Sequence, residues 1–164
     1  MNSPPRSPLI VGWREWVVLE GLGSPVPVKA KIDTGAATSA LHASTLERLE
    51  VEGEPWVEFT LRPHQRTSSQ SQRVRAPMID ERLVRSSSGK SELRPVIDTV
   101  IAIGDRRWAV QFTLTRRDAM GFRMLLGRRA LRDRAIVDVS RSHVAGLPPT
   151  RRIDTSAPAA LDVG

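Results

Sequence analysis

The stretch KAKIDTGAATSALHA, Lys29 to Ala43, decides how this chain is read. It begins in alternation: Val26, Val28, Ala30 and Ile32 fall on one side of an extended segment and Lys29, Lys31 and Asp33 on the other, the period of a half-buried β-strand. The alternation stops at Asp33-Thr34-Gly35-Ala36, where small residues let the backbone turn tightly. Gly35 permits close backbone approach, so its N–H can donate to the Asp33 carboxylate and hold it, and the Thr34 hydroxyl can be tied into neighbouring backbone. Taken alone, Asp-Thr-Gly reads first as an Asx-type turn after a strand. An aspartate fixed in this way can also position a water for attack on a carbonyl, but only as one of a pair. Two carboxylates sharing one proton supply a base and an acid together, because like charges so close cannot both ionise. One copy per chain is half of such a site.

The chain holds no second copy. Ile-Asp-Thr recurs at Ile97-Asp98-Thr99 and Ile153-Asp154-Thr155, both times without the glycine. Val100 would block the close approach that Gly35 allows, and Asp154 falls in a Pro- and Ala-rich closing stretch. A C2 homodimer, which brings Asp33 of two protomers to the symmetry axis, is the simplest way to complete the pair.

Composition limits the alternatives. With 164 residues, 40% hydrophobic and 26% charged, the chain suits one soluble domain with a core. No apolar run has the length of a membrane span, and the opening MNSPPRSPLIVGW lacks the apolar centre of a secretory signal, so a cytoplasmic location is expected. The absence of cysteine removes disulfides and thiolate metal sites. The net charge of +7 rests on arginine, since lysine occurs only at Lys29, Lys31 and Lys90. Such a surface draws anionic partners, whether RNA, acidic protein or acidic peptide.

Strand signals dominate the rest. WREWVVLEGLG, PWVEFTL and VIDTVIAIGDRRWAVQFTLT predict strands, the last as a hairpin about Gly104-Asp105. RVRAPMIDERLVRSSSGKSELRPV carries strand character on both sides of Ser-Ser-Ser-Gly-Lys, a hairpin able to bend. HQRTSSQSQR reads as an exposed loop. Helix signals are two: SALHASTLERLE, with Leu41, Leu46 and Leu49 inward and His42 near its start, and GRRALRDR after the apolar MLL. Residues 1–8 and 147–164 read as flexible tails around one domain over 9–146. The architecture implied is mainly β, a closed barrel or curled sheet with one or two short helices.

Downstream of the turn, FRMLLGRRAL places Leu125-Leu126-Gly127-Arg128 at a strand end running into a helix. This resembles the apolar-apolar-Gly element that retropepsin-like aspartic proteases set beneath their catalytic turn. The order of parts is also similar: Asp-Thr-Gly-Ala, then a flap-like hairpin, then apolar-Gly-Arg and a short helix. GWREWVVL, KAKIDTGAATSALHA, RSSSGKSELRPVI and RRDAMGFRMLLGRRAL together resemble the RimB, or ATP-dependent zinc protease, family over Val11 to Val139. The resemblance implies a retropepsin-like fold, a homodimeric aspartic endopeptidase and, in RimB, removal of glutamate tails from ribosomal protein S6. On this reading Asp33, Thr34 and Gly35 are catalytic. Lys31 and Ala36 beside the turn, and Arg85, Ser87, Ser88, Gly89 and Lys90 in the hairpin, bind the peptide. Leu126, Gly127 and Arg128 support the turn.

The family's zinc and ATP labels find no residues to carry them. There is no HExxH, His42, His64 and His143 are widely separated, and SSSGKSE lacks the first glycine and preceding strand of a phosphate-binding loop. No cofactor and no metal is expected. Lys31, two before Asp33, replaces an apolar residue usual in retropepsins; it either favours an acidic substrate or pairs with a carboxylate such as Glu20. Arg82, Arg85, Lys90 and Arg94 make the hairpin cationic, suited to a glutamate-rich strand laid beneath it. Ala37 stands where retropepsins hold the acid that braces the arginine corresponding to Arg128, so that brace is absent or rebuilt, with Asp118 as a candidate. A second reading is a non-catalytic module that holds RNA or a ribosomal protein, weakened by the absence of tyrosine and of a base-stacking motif.

Overall fold

In the computed structural model, which describes residues 6–64, 69–85, 88–116 and 121–149, the alternating segment is a strand. β3 (Val28–Ile32) buries Val28, Ala30 and Ile32 and exposes Lys31. It belongs to a seven-stranded sheet in the order β2 (Arg14–Val17), β3, β11 (Met124–Leu126), β4 (Ser39–His42), β10 (Arg106–Thr115), β9 (Ser91–Ile103), β8 (Asp80–Arg85). The pairs β3–β11 and β4–β10 are parallel and the remainder antiparallel. β11 thus inserts between β3 and β4, so the six-residue connection from Asp33 to Thr38 must pass over its end.

The sheet curls. Beyond β2, Val18 and Ala102 of β9 exchange backbone hydrogen bonds of 3.0 and 2.9 Å. The two strands meet through that single bridge and not through a paired ladder, so the mainly β architecture expected is present as a curled sheet joined at one point. β5 (Ser44–Val51), β6 (Glu54–Leu61) and β7 (Gln72–Pro77) form a separate antiparallel sheet. Its inner residues Val57, Phe59, Leu61, Val74 and Ala76 share one core with Ile97, Phe112, Leu114, Met124 and Leu126. A two-stranded parallel sheet pairs β1 (Leu9–Gly12) with β12 (Ala135–Asp138). Fully buried Glu15 fastens this part: its carboxylate accepts from the N–H groups of Gly12 at 2.7 Å, Val144 at 3.0 Å and Ala145 at 3.1 Å.

The expected helix over SALHASTLERLE is not formed; that segment is β4 and β5, and His42 closes β4 in the core. Its apolar spacing mimicked a helical face because a β-bulge between Ser44 and Glu47 adds a residue to the strand. Beyond the bulge Leu46 packs on the core, whereas Leu49 stands opposite Trp56 on the other face of the ribbon. β5 turns into β6 through Glu52 and Gly53, both at positive φ (51° and 80°), a tight hairpin geometry that glycine favours at its second position. The second expected helix exists as one turn, α1 (Arg128–Leu131), and a short 3-10 turn spans Glu20–Leu22. The Gly104-Asp105 hairpin joins β9 and β10 as expected. β9 pairs first with β8 and then with β10, so the cationic hairpin is the continuation of a body strand. Among the described residues no helix is long and apolar enough to cross a membrane. The expected tails at 1–8 and 147–164 lie largely outside the described residues.

Candidate active site

Asp33 follows the last residue of β3. Its N–H donates to the Leu126 carbonyl at 2.8 Å, continuing the β3–β11 pairing into the turn. One carboxylate oxygen, Oδ1, accepts the Gly35 N–H at 2.9 Å, the contact expected from the sequence. A methyl group at position 35 would stand 3.2 Å from that oxygen, so the glycine leaves room for the carboxylate. Asp33 is half-buried and Thr34 and Gly35 are exposed, so this edge of the turn is open on the single chain.

Beneath the turn the apolar-apolar-Gly element acts as a seat. Gly127 donates its N–H to the Ser39 hydroxyl at 3.0 Å, Arg128 its N–H to the Ala36 carbonyl at 2.8 Å, and Arg129 its N–H to the Ala37 carbonyl at 3.1 Å. A side chain at Gly127 has no space: a Cβ would lie 2.4 Å from the Thr38 carbonyl oxygen and 2.8 Å from that of Ala36. Leu126 is fully buried. The sequence therefore fixes Asp33 from both sides, by Gly35 above and by residues 126–129 below.

Arg128 braces the turn differently from the retropepsin pattern. Its guanidinium donates to the Thr34 carbonyl at 3.0 Å, so a backbone oxygen takes the part of the missing acid. The Thr34 tie predicted through its hydroxyl is made through its carbonyl. Asp118, the proposed acid, lies outside the described residues, as do Ser86 and Ser87 of the hairpin.

Lys31 is exposed, with Arg14 beside it across β2–β3 and Leu125 across β3–β11. The alternative partner Glu20 is engaged by Arg107 in a short ion pair, which leaves Lys31 without an ion pair among the described residues. Ala36 sits in the turn with its carbonyl committed to Arg128.

Strand register sorts the hairpin cations. Arg82 stands directly opposite Arg94 and donates to the Gln111 side chain of β10 at 3.2 Å. Arg85 falls on the opposite face with Leu83, which is 71% exposed. Ser88, Gly89 and Lys90 are exposed at the hairpin's end. The register thus separates two cations that the sequence placed together on the hairpin, Arg82 toward the body of the sheet and Arg85 on the other face. Neither Gln111 nor Arg129 was singled out; the pairing of β8, β9 and β10 brings Gln111 to Arg82, and Arg129 of α1 lines the same hollow.

The Ile97-Asp98-Thr99 repeat lies within β9, with Asp98 opposite Gln111, so it forms no turn. Burial raises the Asp98 carboxyl above its ordinary range. Among the described residues no three His, Asp or Glu side chains cluster as metal ligands would.

A family model described as the retropepsin-like aspartic endopeptidase RimB matches residues 10–148. The chain belongs to the RimB-like family. Curated relatives of this RimB-like chain carry another name. A probable alpha-L-glutamate ligase of Shewanella pealeana is 44% identical over 137 residues, spanning 84% of this chain and 30% of that protein. A probable alpha-L-glutamate ligase of Parasynechococcus marenigrum is 44% identical over 138 residues, spanning 84% of this chain and 29% of that protein. The RimB-like chain therefore spans under a third of the length of these relatives. Among solved structures, Lpg0085 of Legionella pneumophila, a protein of unknown function (DUF785), is similar with a TM-score of 0.70 and 26% identity. The alignment covers 85% of this chain and 99% of that one.

Proposed function

We propose that the chain is an aspartic endopeptidase that acts as a homodimer on glutamate-rich peptides. The observation that carries this reading is the Asp33 carboxylate, held by the Gly35 N–H on a turn clamped by residues 126–129, with its edge open. A second protomer brings the matching carboxylate. One ionised Asp33 takes a proton from water, the hydroxide adds to the scissile carbonyl, and the protonated Asp33 of the other copy gives its proton to the amide nitrogen as the C–N bond breaks. The hairpin of β8 and β9 covers the bound strand.

The acidic substrate class is supported by Lys31 without an ion pair near Asp33, by the cations of the hairpin and by the net charge of +7. The ligase names of the relatives belong to proteins of which this chain matches 30% or less. We read the shared segment as the part that meets a glutamylated protein, ribosomal protein S6 being the substrate that the family suggests, and ligation as the work of the remaining length. The test is incubation with a glutamate-tailed peptide and a glutamine-tailed control, read by mass spectrometry. Asp33→Asn keeps an oxygen to accept the Gly35 N–H, so it is expected to stay folded and dimeric while kcat falls by about 10²–10⁴-fold or more. Undiminished cleavage by Asp33→Asn, or a monomer that cleaves, overturns the mechanism. Binding of RNA with steep salt dependence and no cleavage favours a binding module instead.

A further inference from the structure

A hollow of about 320 Å³ opens beside the Asp33 turn, lined among others by Thr38, Arg82, Val110, Gln111, Arg129 and Ala130. We infer that it is a subsite for one glutamate side chain of the bound peptide, with Arg82 and Arg129 as the residues that select the carboxylate. The inference rests on the proteolytic reading above and adds to it which groups read the substrate.

Position comes first. Thr38 is the residue whose carbonyl packs on Gly127, and Arg129 hangs its N–H on the Ala37 carbonyl. The wall of the hollow is therefore continuous with the clamp that holds Asp33.

The chemistry of the lining is one-sided. It offers two guanidinium groups, a carboxamide and two hydroxyls, and none of its lining residues is a carboxylate, the neighbouring acid being Asp98 opposite Gln111 on β9. The guanidinium of Arg82 leans on the neutral Gln111 side chain at 3.2 Å, with Asp80 farther off at 3.8 Å. The Arg129 side chain is exposed and has no hydrogen-bond or ion-pair partner among the described residues. Two guanidinium groups so weakly neutralised suit an incoming carboxylate, which a planar fork of N–H donors grips in charge-assisted bonds. The lining also has an apolar part: Ala109 stands on the same face of β10 as Gln111, and with buried Ala130 of α1 it suits the methylene stem of a glutamate. Because Arg82 rides on β8 and Arg129 on α1, one carboxylate held between them would also tie the hairpin to the body.

The test replaces each glutamate of a cleaved glutamate-run peptide by glutamine, one position at a time, and measures kcat/KM with wild type, Arg129→Gln, Arg129→Lys and Arg82→Gln. Arg132→Gln, an exposed change outside the hollow, controls for net charge. In wild type one position is expected to lose about 10–100-fold on replacement, mostly in KM, the value of one charge-assisted contact. In Arg129→Gln and Arg82→Gln that same replacement should cost under about threefold, with Arg129→Lys in between and Arg132→Gln like wild type. If both variants lose activity equally on every peptide, or keep the positional loss intact, the subsite assignment fails while proteolysis stands. If wild type cleaves nothing, the same peptides labelled with fluorescein are bound to it and followed by anisotropy. Affinity that depends on Arg129 at one glutamate then upholds the subsite and removes the protease. Affinity indifferent to Arg129, or an oligonucleotide that binds with the same Arg129 dependence, overturns the carboxylate assignment.

Discussion

Asp33 and Gly35 depend on each other at the scale of tenths of an ångström. Gly35→Ala would set its Cβ 3.2 Å from the carboxylate oxygen that the same residue holds by its N–H. The carboxylate must shift to relieve that contact, and small misplacements of a reacting group are costly. We expect Gly35→Ala to lower kcat about tenfold or more while the melting temperature moves by only a few degrees, as measured by peptide cleavage and differential scanning calorimetry. Arg128→Met removes a charge-assisted bond from an exposed side chain to the Thr34 carbonyl, so its cost in urea titration should stay near 1 kcal/mol. Roles of this kind differ in how far they can be read in advance. Gly35 was legible because its partner is two residues away and the constraint is local. The acceptor of Arg128 was not, because a backbone carbonyl carries no mark in the sequence; the missing acid at Ala37 showed only that something else must serve.

Elements bring the turn and its seat together. Because β11 lies between β3 and β4, the segment 33–38 has to cross Gly127, and the closeness of that crossing forbids a side chain. Gly127→Ala must push apart two backbone segments, an overpacking expected to cost about 1–3 kcal/mol or more in urea denaturation, and to lower cleavage in the fraction that folds. The Leu-Leu-Gly pattern was legible as a strand end beneath the turn because its demands are steric. The misread element was β4–β5, where Leu41, Leu46 and Leu49 imitated a helical stripe. No local propensity announces a bulge at Ser44, since the bulge is set by pairing with Thr60 and Glu58 across the ribbon. For the same reason the choice between Arg82 and Arg85 needed the register of β8 against β9, which fixes the face but is not written in either strand alone.

Over the whole molecule, the closing segment is bound back to β2 through Glu15 and through His143, whose ring stacks on Trp16 with centroids 5.1 Å apart. Burial, and then the Arg14 guanidinium, hold the His143 imidazole below its ordinary range; Glu15 works against them and Lys29 with them. The unfolded chain therefore takes up that proton more readily than the native one. Stability from this group is complete above the unfolded value of about 6.5 and is lost as pH falls through it toward the lower native value. His143→Asn, which tolerates the positive φ of 55° at this position, should flatten the slope of stability as pH falls below about 6.5 in urea titrations. The one-point junction at Val18 and Ala102 and the shared core of both sheets lay beyond sequence reading, since each depends on how strands far apart in the chain curl toward one another.

Parallel pairing of β1 with β12, from Leu9 beside Ala135 to Gly12 beside Asp138, has an architectural outcome. The start of β1 and the end of β12 therefore lie at diagonally opposite corners of one small ribbon, about 10 Å apart along the strands, and the residues after Asp138 turn back onto β2. Opening that ribbon would loosen the first strand and the last one together rather than one at a time.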